Sequence, residues 1–375
     1  MSMQPFVRQS YLPDAPPPAL SVGVLGWVRG NLLSSPLNVL LTVFGLYVIW
    51  ITIPPLIEWA VIDAVWSGKD RTACLAEGTG ACWAFIAAKF GQFIYGRYTF
   101  DERWRVDLVF ILGAISLASL IFSNMPGRRY MLAFGVCVYP LLAYLLLTGG
   151  SFGLAPVETS LWGGLMLTLV VATVGIAAAL PLGILLALGR RSDMPVIRTL
   201  SVIFIEAWRG VPLITVLFMA SVMLPLFLPA GTNFDKLVRV LIGVALFSAA
   251  YMAEVVRGGL QAIPRGQYEA ASALGLGYWR SMLLIILPQA LRLVIPGIVN
   301  TFIGLFKDTT LVLIVGLFDL LGTVQFNFTD ANWATPQTAP TGYAFAAMMF
   351  WVMCFGMSRY SMHVERRLNE GTRRA

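Results

Sequence analysis

Long apolar runs separated by short polar breaks dominate the chain. Their lengths read as membrane spans rather than as single faces of soluble helices. The first runs from about Leu37 to Ile57, near the roughly 20 apolar residues that a bilayer core requires. A second covers about Val106 to Phe122, and a third about Tyr130 to Leu147. Five more cover about Leu161–Leu188, Leu200–Leu228, Leu237–Val256, Leu287–Phe306 and Tyr343–Met357. The segment Leu311–Leu321 is apolar but short, which suits a re-entrant or extracytoplasmic helix. The pattern predicts an all-α integral membrane protein with about eight transmembrane helices.

The polar breaks divide the chain. Residues 1–36 form a polar N-terminal tail with Pro16, Pro17 and Pro18 in a row, and lack the features of a signal peptide. Residues 37–150 form an extension of three spans, with a mixed-charge loop over 58–104 that has room for a partly amphipathic helix. A loop without Lys or Arg, Thr148–Glu158, precedes a five-span domain over 158–362, and a polar tail over 363–375 ends the chain.

Composition agrees with the membrane reading: 58% of residues are hydrophobic and 12% charged, and the mean hydropathy is +0.77. The net charge of +7 does not call for nucleic acid, because arginines at cytoplasmic span ends account for it. With eight spans, Arg128, Arg129, Arg190, Arg191, Arg198, Arg265, Arg280, Arg359, Arg366, Arg367, Arg373 and Arg374 all fall on one side. That side is the cytoplasm, and both termini lie there. The opposite side has Thr148–Glu158 and the Lys- and Arg-free stretch from Asp308 to Ser358.

Cys74 and Cys82 share the 58–104 loop. In an oxidising compartment they can form a disulfide, and two free thiols are the equal alternative. Cys137 and Cys354 lie in apolar runs and read as packed thiols. With one histidine, His363, the chain offers neither a multi-histidine metal site nor a histidine-based catalytic pair, and no cofactor site is expected. No G-x-x-x-x-G-K-[ST] occurs; the one Gly68-Lys69 pair is followed by Asp70. If the chain does work that consumes ATP, another subunit must hydrolyse it.

One stretch between two apolar runs is unlike the rest: Glu269 to Pro288, EAASALGLGYWRSMLLIILP. It reads as a short helix, a turn and a second helix returning to the membrane. Pro264 suits the helix start, Gly275 a left-handed end, and Gly277 a loose turn. Ala270, Ala271 and Leu274 fall at helical spacing and make a small, shallow face open to another protein's groove.

This stretch carries E-A-A, three residues, Gly, nine residues, Ile, one residue and Leu-Pro, on Glu269, Ala270, Ala271, Gly275, Ile285, Leu287 and Pro288. It resembles the signature of bacterial ABC-importer permease subunits, in which this loop docks on the ATPase. Glu206-Ala207-Trp208-Arg209-Gly210-Val211-Pro212-Leu213 is similar to the E-x-x-R-G-x-P-L of polar amino-acid permeases, and Lys307-Asp308-Thr309-Thr310-Leu311 to their K-D-T-[ST]-L. The resemblance covers about Leu161 to Leu368. It implies that residues 158–362 are a type I ABC-importer transmembrane domain of five helices. The long N-terminal extension resembles that of general L-amino-acid permeases, particularly the M-type subunit of a paired system.

The resemblance further implies ABC ATPase subunits, a second homologous permease, a periplasmic amino-acid-binding protein and amino-acid cargo of broad range, all at a bacterial inner membrane. From the span pattern alone, a stand-alone secondary transporter or channel is the alternative. An intramembrane enzyme lacks any nucleophile–base set.

Spacing marks two further groups. Glu206-x-x-Arg209 and Glu254-x-x-Arg257 repeat one pattern at span ends, with each Glu and Arg on a shared helix face. They read as an ion-pair layer at the cytoplasmic gate or as local helix-end anchors. Lys307 and Asp308 sit among apolar neighbours, where a cation and an anion suit a zwitterionic cargo, or else form a turn at the outer edge. Asn300 and Thr301 are weaker candidates for the translocation path.

Overall fold

The computed structural model describes residues 23–122, 127–227, 229 and 234–373. Most of the expected N-terminal tail, Pro126 of the basic turn, Leu228 at the end of an expected span, and Arg374 lie outside them. Among the described residues the secondary structure is helical, without extended strands; Gly164 and Asp319 form an isolated bridge.

The contacts divide the chain into two units. The first runs to Val65 and includes Glu77–Ala81. It holds α1 (Gly23–Asn31) and α2 (Pro36–Ile57). The Ser35 hydroxyl caps α2 by accepting from the Asn38 N–H at 3.2 Å. Pro36 follows in the first turn, where its missing N–H has no partner to lose. No residue of α2 is buried by the chain, so its apolar surface is left for lipid.

The second unit comprises Trp66–Ala76 and the chain from Cys82 onward. It opens with α3 (Trp83–Tyr95), α4 (Arg103–Ile121), α5 (Arg128–Ala133) and α6 (Tyr139–Thr148). Its centre is the pair α7 (Gly164–Arg190) and α11 (Lys236–Ala262), 27 residues each. They pack closely because small residues line the contact: a Cβ on Gly183 would stand 2.7 Å from the Met252 side chain. Around them lie α8 (Pro195–Gly210), α9 (Leu213–Phe218), α10 (Leu224–Phe227), α12 (Arg265–Ala273), α13 (Tyr278–Ser281), α14 (Leu287–Leu293), α15 (Ile295–Asp308), α16 (Leu320–Phe326) and α17 (Thr338–Arg373). No boundary between units falls near residue 150, because Tyr98, Val106, Leu146 and Leu147 share one apolar core with Trp162, Met166 and Leu167.

Among the described residues, six continuous helical segments have the length and apolarity of a bilayer crossing, and a seventh crossing is added if one bent pair is a single span: Pro36–Ile62, Arg128–Thr148, Gly164–Arg190, Lys236–Ala262, Ile295–Val315 and Thr338–Leu368 are the six. α4, Arg103–Ile121, covers the second expected span but for its last residue. Elsewhere the helices depart from the expected spans for local reasons. The span expected over Leu200–Leu228 is two segments bent by 102°. Val211 is extended there, and Pro212 has no N–H to continue α8. The span expected from Leu287 breaks at Val294, ahead of Pro296, and the crossing segment starts at Ile295. Leu311–Leu321 is not one helix: a 3-10 segment, Thr309–Val315, ends at left-handed Gly316, and α16 starts afresh at Leu320. The last helix overruns the expected Tyr343–Met357 at both ends and takes in most of the C-terminal tail. Cys137 is exposed rather than packed.

The helix expected within the 58–104 loop is α3, and it belongs to the second unit, packed on α7, α16 and α17. Cys74 and Cys82 are disulfide-bonded, with Cα atoms 5.8 Å apart. The Cys82 N–H donates to Thr341 Oγ1 at 2.9 Å and the Arg71 N–H to the Asn332 carbonyl at 2.7 Å. Lys89 pairs with Asp330 at 2.5 Å, which holds the Asp330 carboxyl below the usual carboxylate range. Asp319, fully buried, caps α16 by accepting from the N–H groups of Leu321 and Gly322. Burial pushes its carboxyl up to about 6, against those hydrogen bonds.

Candidate coupling and gating site

The stretch from Glu269 to Pro288 folds as a helical hairpin. Pro264 is the N-cap of α12, in extended conformation. α12 ends where Gly275 turns left-handed at φ +69°. The Gly275 N–H donates to the Ser272 carbonyl at 2.9 Å, and the Leu276 N–H to the Ala271 carbonyl at 3.2 Å. These two bonds make a Schellman cap and satisfy carbonyls that the helix end would leave open. Gly277 then starts α13, and Ser281 Oγ donates to the Leu276 carbonyl at 3.2 Å. A π turn, Met282–Ile286, leads into α14. Gln289 Nε2 closes the hairpin by donating to Gln267 Oε1 at 3.1 Å.

The face this hairpin presents differs from the one expected. Glu269 and Ala270 are exposed, and Leu274 is 74% exposed. Ala271 is 1% exposed and buried within the chain, so it cannot line a docking face. The reason lies in the helical period: Ala270 and Leu274 are four apart and share a face, whereas Ala271 is turned from it. Tyr278, Trp279, Leu283 and Leu284 extend the exposed apolar surface. Ile285 is half-buried, Leu287 is buried, and Pro288 is exposed.

Tyr268, next to Glu269, ties the hairpin to the end of α7. Its hydroxyl donates to the Leu260 carbonyl at 3.2 Å and accepts from Arg191 Nη1 at 3.2 Å. The Arg191 guanidinium also lies over the Tyr268 ring, 5.7 Å from its centre.

The two Glu-x-x-Arg patterns meet in one cluster, but not as two separate pairs. Glu254 is its centre, with Arg257 Nη2 at 2.6 Å, Arg190 Nη1 at 2.8 Å and Arg209 Nη1 at 3.9 Å. Arg190 also reaches Glu206 Oε1 at 2.8 Å, so one guanidinium nitrogen bridges α8 and α11. Glu206 and Arg209 form no ion pair with each other among the described residues. Arg209 instead lies over the Tyr251 ring at 5.6 Å. Glu206 is 54% exposed and Glu254 16%, so the inner carboxylate carries most of the electrostatic weight. Arg190 entered the sequence reading only as a cytoplasmic charge. Nothing in its spacing marks it as the bridge.

Lys307 is exposed and Asp308 half-buried, and neither forms an ion pair among the described residues. Asn300 is exposed, and the Thr301 hydroxyl donates back to the Gly297 carbonyl at 2.9 Å. An apolar cavity of about 480 Å3 lies instead among α8, α9, α10 and α11. None of those four residues lines it, and its one charged lining residue is Arg239, which sequence reasoning missed. Among the described residues no group of His, Cys, Asp or Glu could hold a metal ion.

Residues 179–370 match the family of the binding-protein-dependent transport system inner membrane component. The chain is 57% identical to the inner membrane amino-acid ABC transporter permease protein YhdY of Escherichia coli K12, over 96% of this chain and 97% of that one. It is 43% identical to the glutamate/glutamine/aspartate/asparagine transport system permease protein BztC of Rhodobacter capsulatus, over the full length of both. A solved amino acid ABC transporter with histidines shares 29% identity, covering 54% of this chain and 92% of that one with a TM-score of 0.48.

Proposed function

The chain belongs to the binding-protein-dependent transport inner membrane component family, and on that premise we propose that it is the amino-acid-translocating permease of an ATP-driven importer. It works in a bacterial inner membrane with both termini in the cytoplasm. Its partners are ABC ATPase subunits, a second homologous permease and a periplasmic amino-acid-binding protein. Its cargo is a range of polar L-amino acids, in keeping with the names of its two long relatives.

Residues 158–362 form the translocating domain. The ATPase docks on the exposed face of the hairpin, through Glu269, Ala270, Leu274 and the apolar residues of α13. Ala271, Gly275, Ile285, Leu287 and Pro288 hold its shape. ATP binding and hydrolysis move the ATPase pair, and the rigid hairpin passes that motion to α11 and, through Tyr268 and Arg191, to the end of α7. The Arg190–Glu206–Glu254–Arg257 cluster gates the cytoplasmic side, with Arg209 at its edge. Lys307 and Asp308 contact cargo near the outer end, with Asn300 and Thr301 beside the path.

The observation that carries this reading is the complete seven-position signature on an exposed hairpin closed by a Schellman cap. The test is uptake in proteoliposomes. The chain purified from its native membrane brings an ATPase with it, and the complex takes up amino acids only with ATP and binding protein. Uptake by the chain alone, driven by an ion gradient and abolished by an ionophore, would mark a secondary transporter instead.

A further inference from the structure

The apolar cavity among α8, α9, α10 and α11 holds one charge in an unusual setting. The cavity opens to the surface of the chain, where Phe227 is 78% and Ile242 53% exposed; Trp208, Met219 and Met223 also line it, and its volume is about 480 Å3. Arg239 lines it from the first turn of α11. An arginine so near a helix end ordinarily extends its charged head to water. This one is folded inward and only 9% exposed. Its Nη1 donates to the Ser221 carbonyl, while its buried Nε has no hydrogen-bond partner among the described residues.

No described carboxylate neutralises it. Arg239 is in none of the ion pairs found among the described residues. The nearest acid along the chain, Asp235, is already engaged: it accepts from the N–H groups of Leu237 and Val238, and from the Thr159 hydroxyl. A buried guanidinium with an unpaired donor is costly to keep unless an anion completes it. A planar guanidinium matches the geometry of a carboxylate or a phosphate through two parallel N–H donors. The volume falls within the range of about 300–1,000 Å3 typical of small-molecule sites.

We propose that Arg239 anchors the carboxylate of the transported amino acid in this cavity. The apolar wall takes the side chain, and the two flexible methionines let it accept side chains of different shape. The assignment rests on the amino-acid import reading and adds to it the group that recognises what all amino acids share.

The test uses the permease–ATPase complex in phosphatidylcholine nanodiscs, without binding protein. Binding of radiolabelled L-glutamine is competed with 4-aminobutanamide, which is glutamine lacking its α-carboxylate. In the wild type the amine competes about tenfold more weakly than glutamine, or worse. Arg239→Met lowers glutamine affinity by about tenfold or more and narrows that gap. Arg239→Lys keeps a donor for the Ser221 carbonyl but loses the planar fork, and it binds glutamine at an intermediate level. It also carries the test if the methionine variant fails to assemble. Co-purified ATPase and an unchanged size-exclusion profile show that a variant is folded.

Unchanged glutamine binding in both variants overturns the proposal, as does the absence of glutamine binding by the wild type. Unchanged glutamine binding with lower retention of added phosphatidylglycerol assigns the cavity to a lipid phosphate and also overturns it. Failure of any ATPase to co-purify would count against the import reading alone, because the permease by itself still reports whether Arg239 holds glutamine.

Discussion

Valine at Gly275 is expected to uncouple transport through backbone strain alone. Nothing lies within 4 Å of a Cβ built there, so the substitution causes no clash. The difficulty is the left-handed conformation, φ +69°. An L-residue held there costs about 1–2 kcal/mol, and a β-branched one more. The turn can escape by rearranging, but it then loses the bonds from Gly275 to Ser272 and from Leu276 to Ala271, each worth about 0.5–1.5 kcal/mol. The cheaper route costs about 1–3 kcal/mol, enough to reduce the native turn roughly fivefold to 150-fold against alternatives. Gly275→Val should therefore insert and co-purify with the ATPase while losing uptake and stimulated hydrolysis. Gly275→Ala should fall between, and Gly275→Asn, which tolerates this conformation, should remain close to wild type. Uptake and stimulated hydrolysis are measured side by side in proteoliposomes. Wild-type uptake by the valine variant would refute the reasoning. An asparagine variant as impaired as valine would show that the docking surface needs the space and not the turn.

Other consequences can be checked on the purified protein. Glu254→Gln strands Arg190 and Arg257 and should lower stability by about 1–3 kcal/mol, whereas Glu206→Gln, at a half-exposed position, should cost about 0.5 kcal/mol or less; heat-inactivation midpoints compare the two. A double-mutant cycle should find coupling between Arg190 and Glu254 and little between Glu206 and Arg257. Maleimide should label Cys137 and Cys354 before reduction and all four cysteines after it, as read by intact mass. Asp319 binds its proton more tightly in the folded chain, so stability should fall as pH rises from about 4 to about 6. Asp319→Asn should flatten that slope in a thermal melt series.

The apolar run lengths located most of the long helices, because bilayer thickness sets them. The Gly275 cap was equally legible, since a left-handed helix end demands glycine or its few substitutes. The 102° break was written in Gly210-Val211-Pro212, yet the apolar runs on both sides hid it. Ala271 was misassigned because spacing grouped it with Ala270 and Leu274, although one residue along a helix turns a side chain by about 100° and packing buries it. Arg190 and Arg239 were not legible as sites. Arg190 meets carboxylates 16 and 64 residues away, and Arg239 is marked only by burial that tertiary packing creates.

The most direct test of the coupling account places a photo-crosslinking residue at one hairpin position at a time in native membranes. The account predicts ATPase adducts from Ala270 and Leu274, which are exposed on one face, and none from Ala271, which is buried. Complexes that take up amino acids at wild-type rates yet give no ATPase adduct from Ala270 or Leu274 would contradict it.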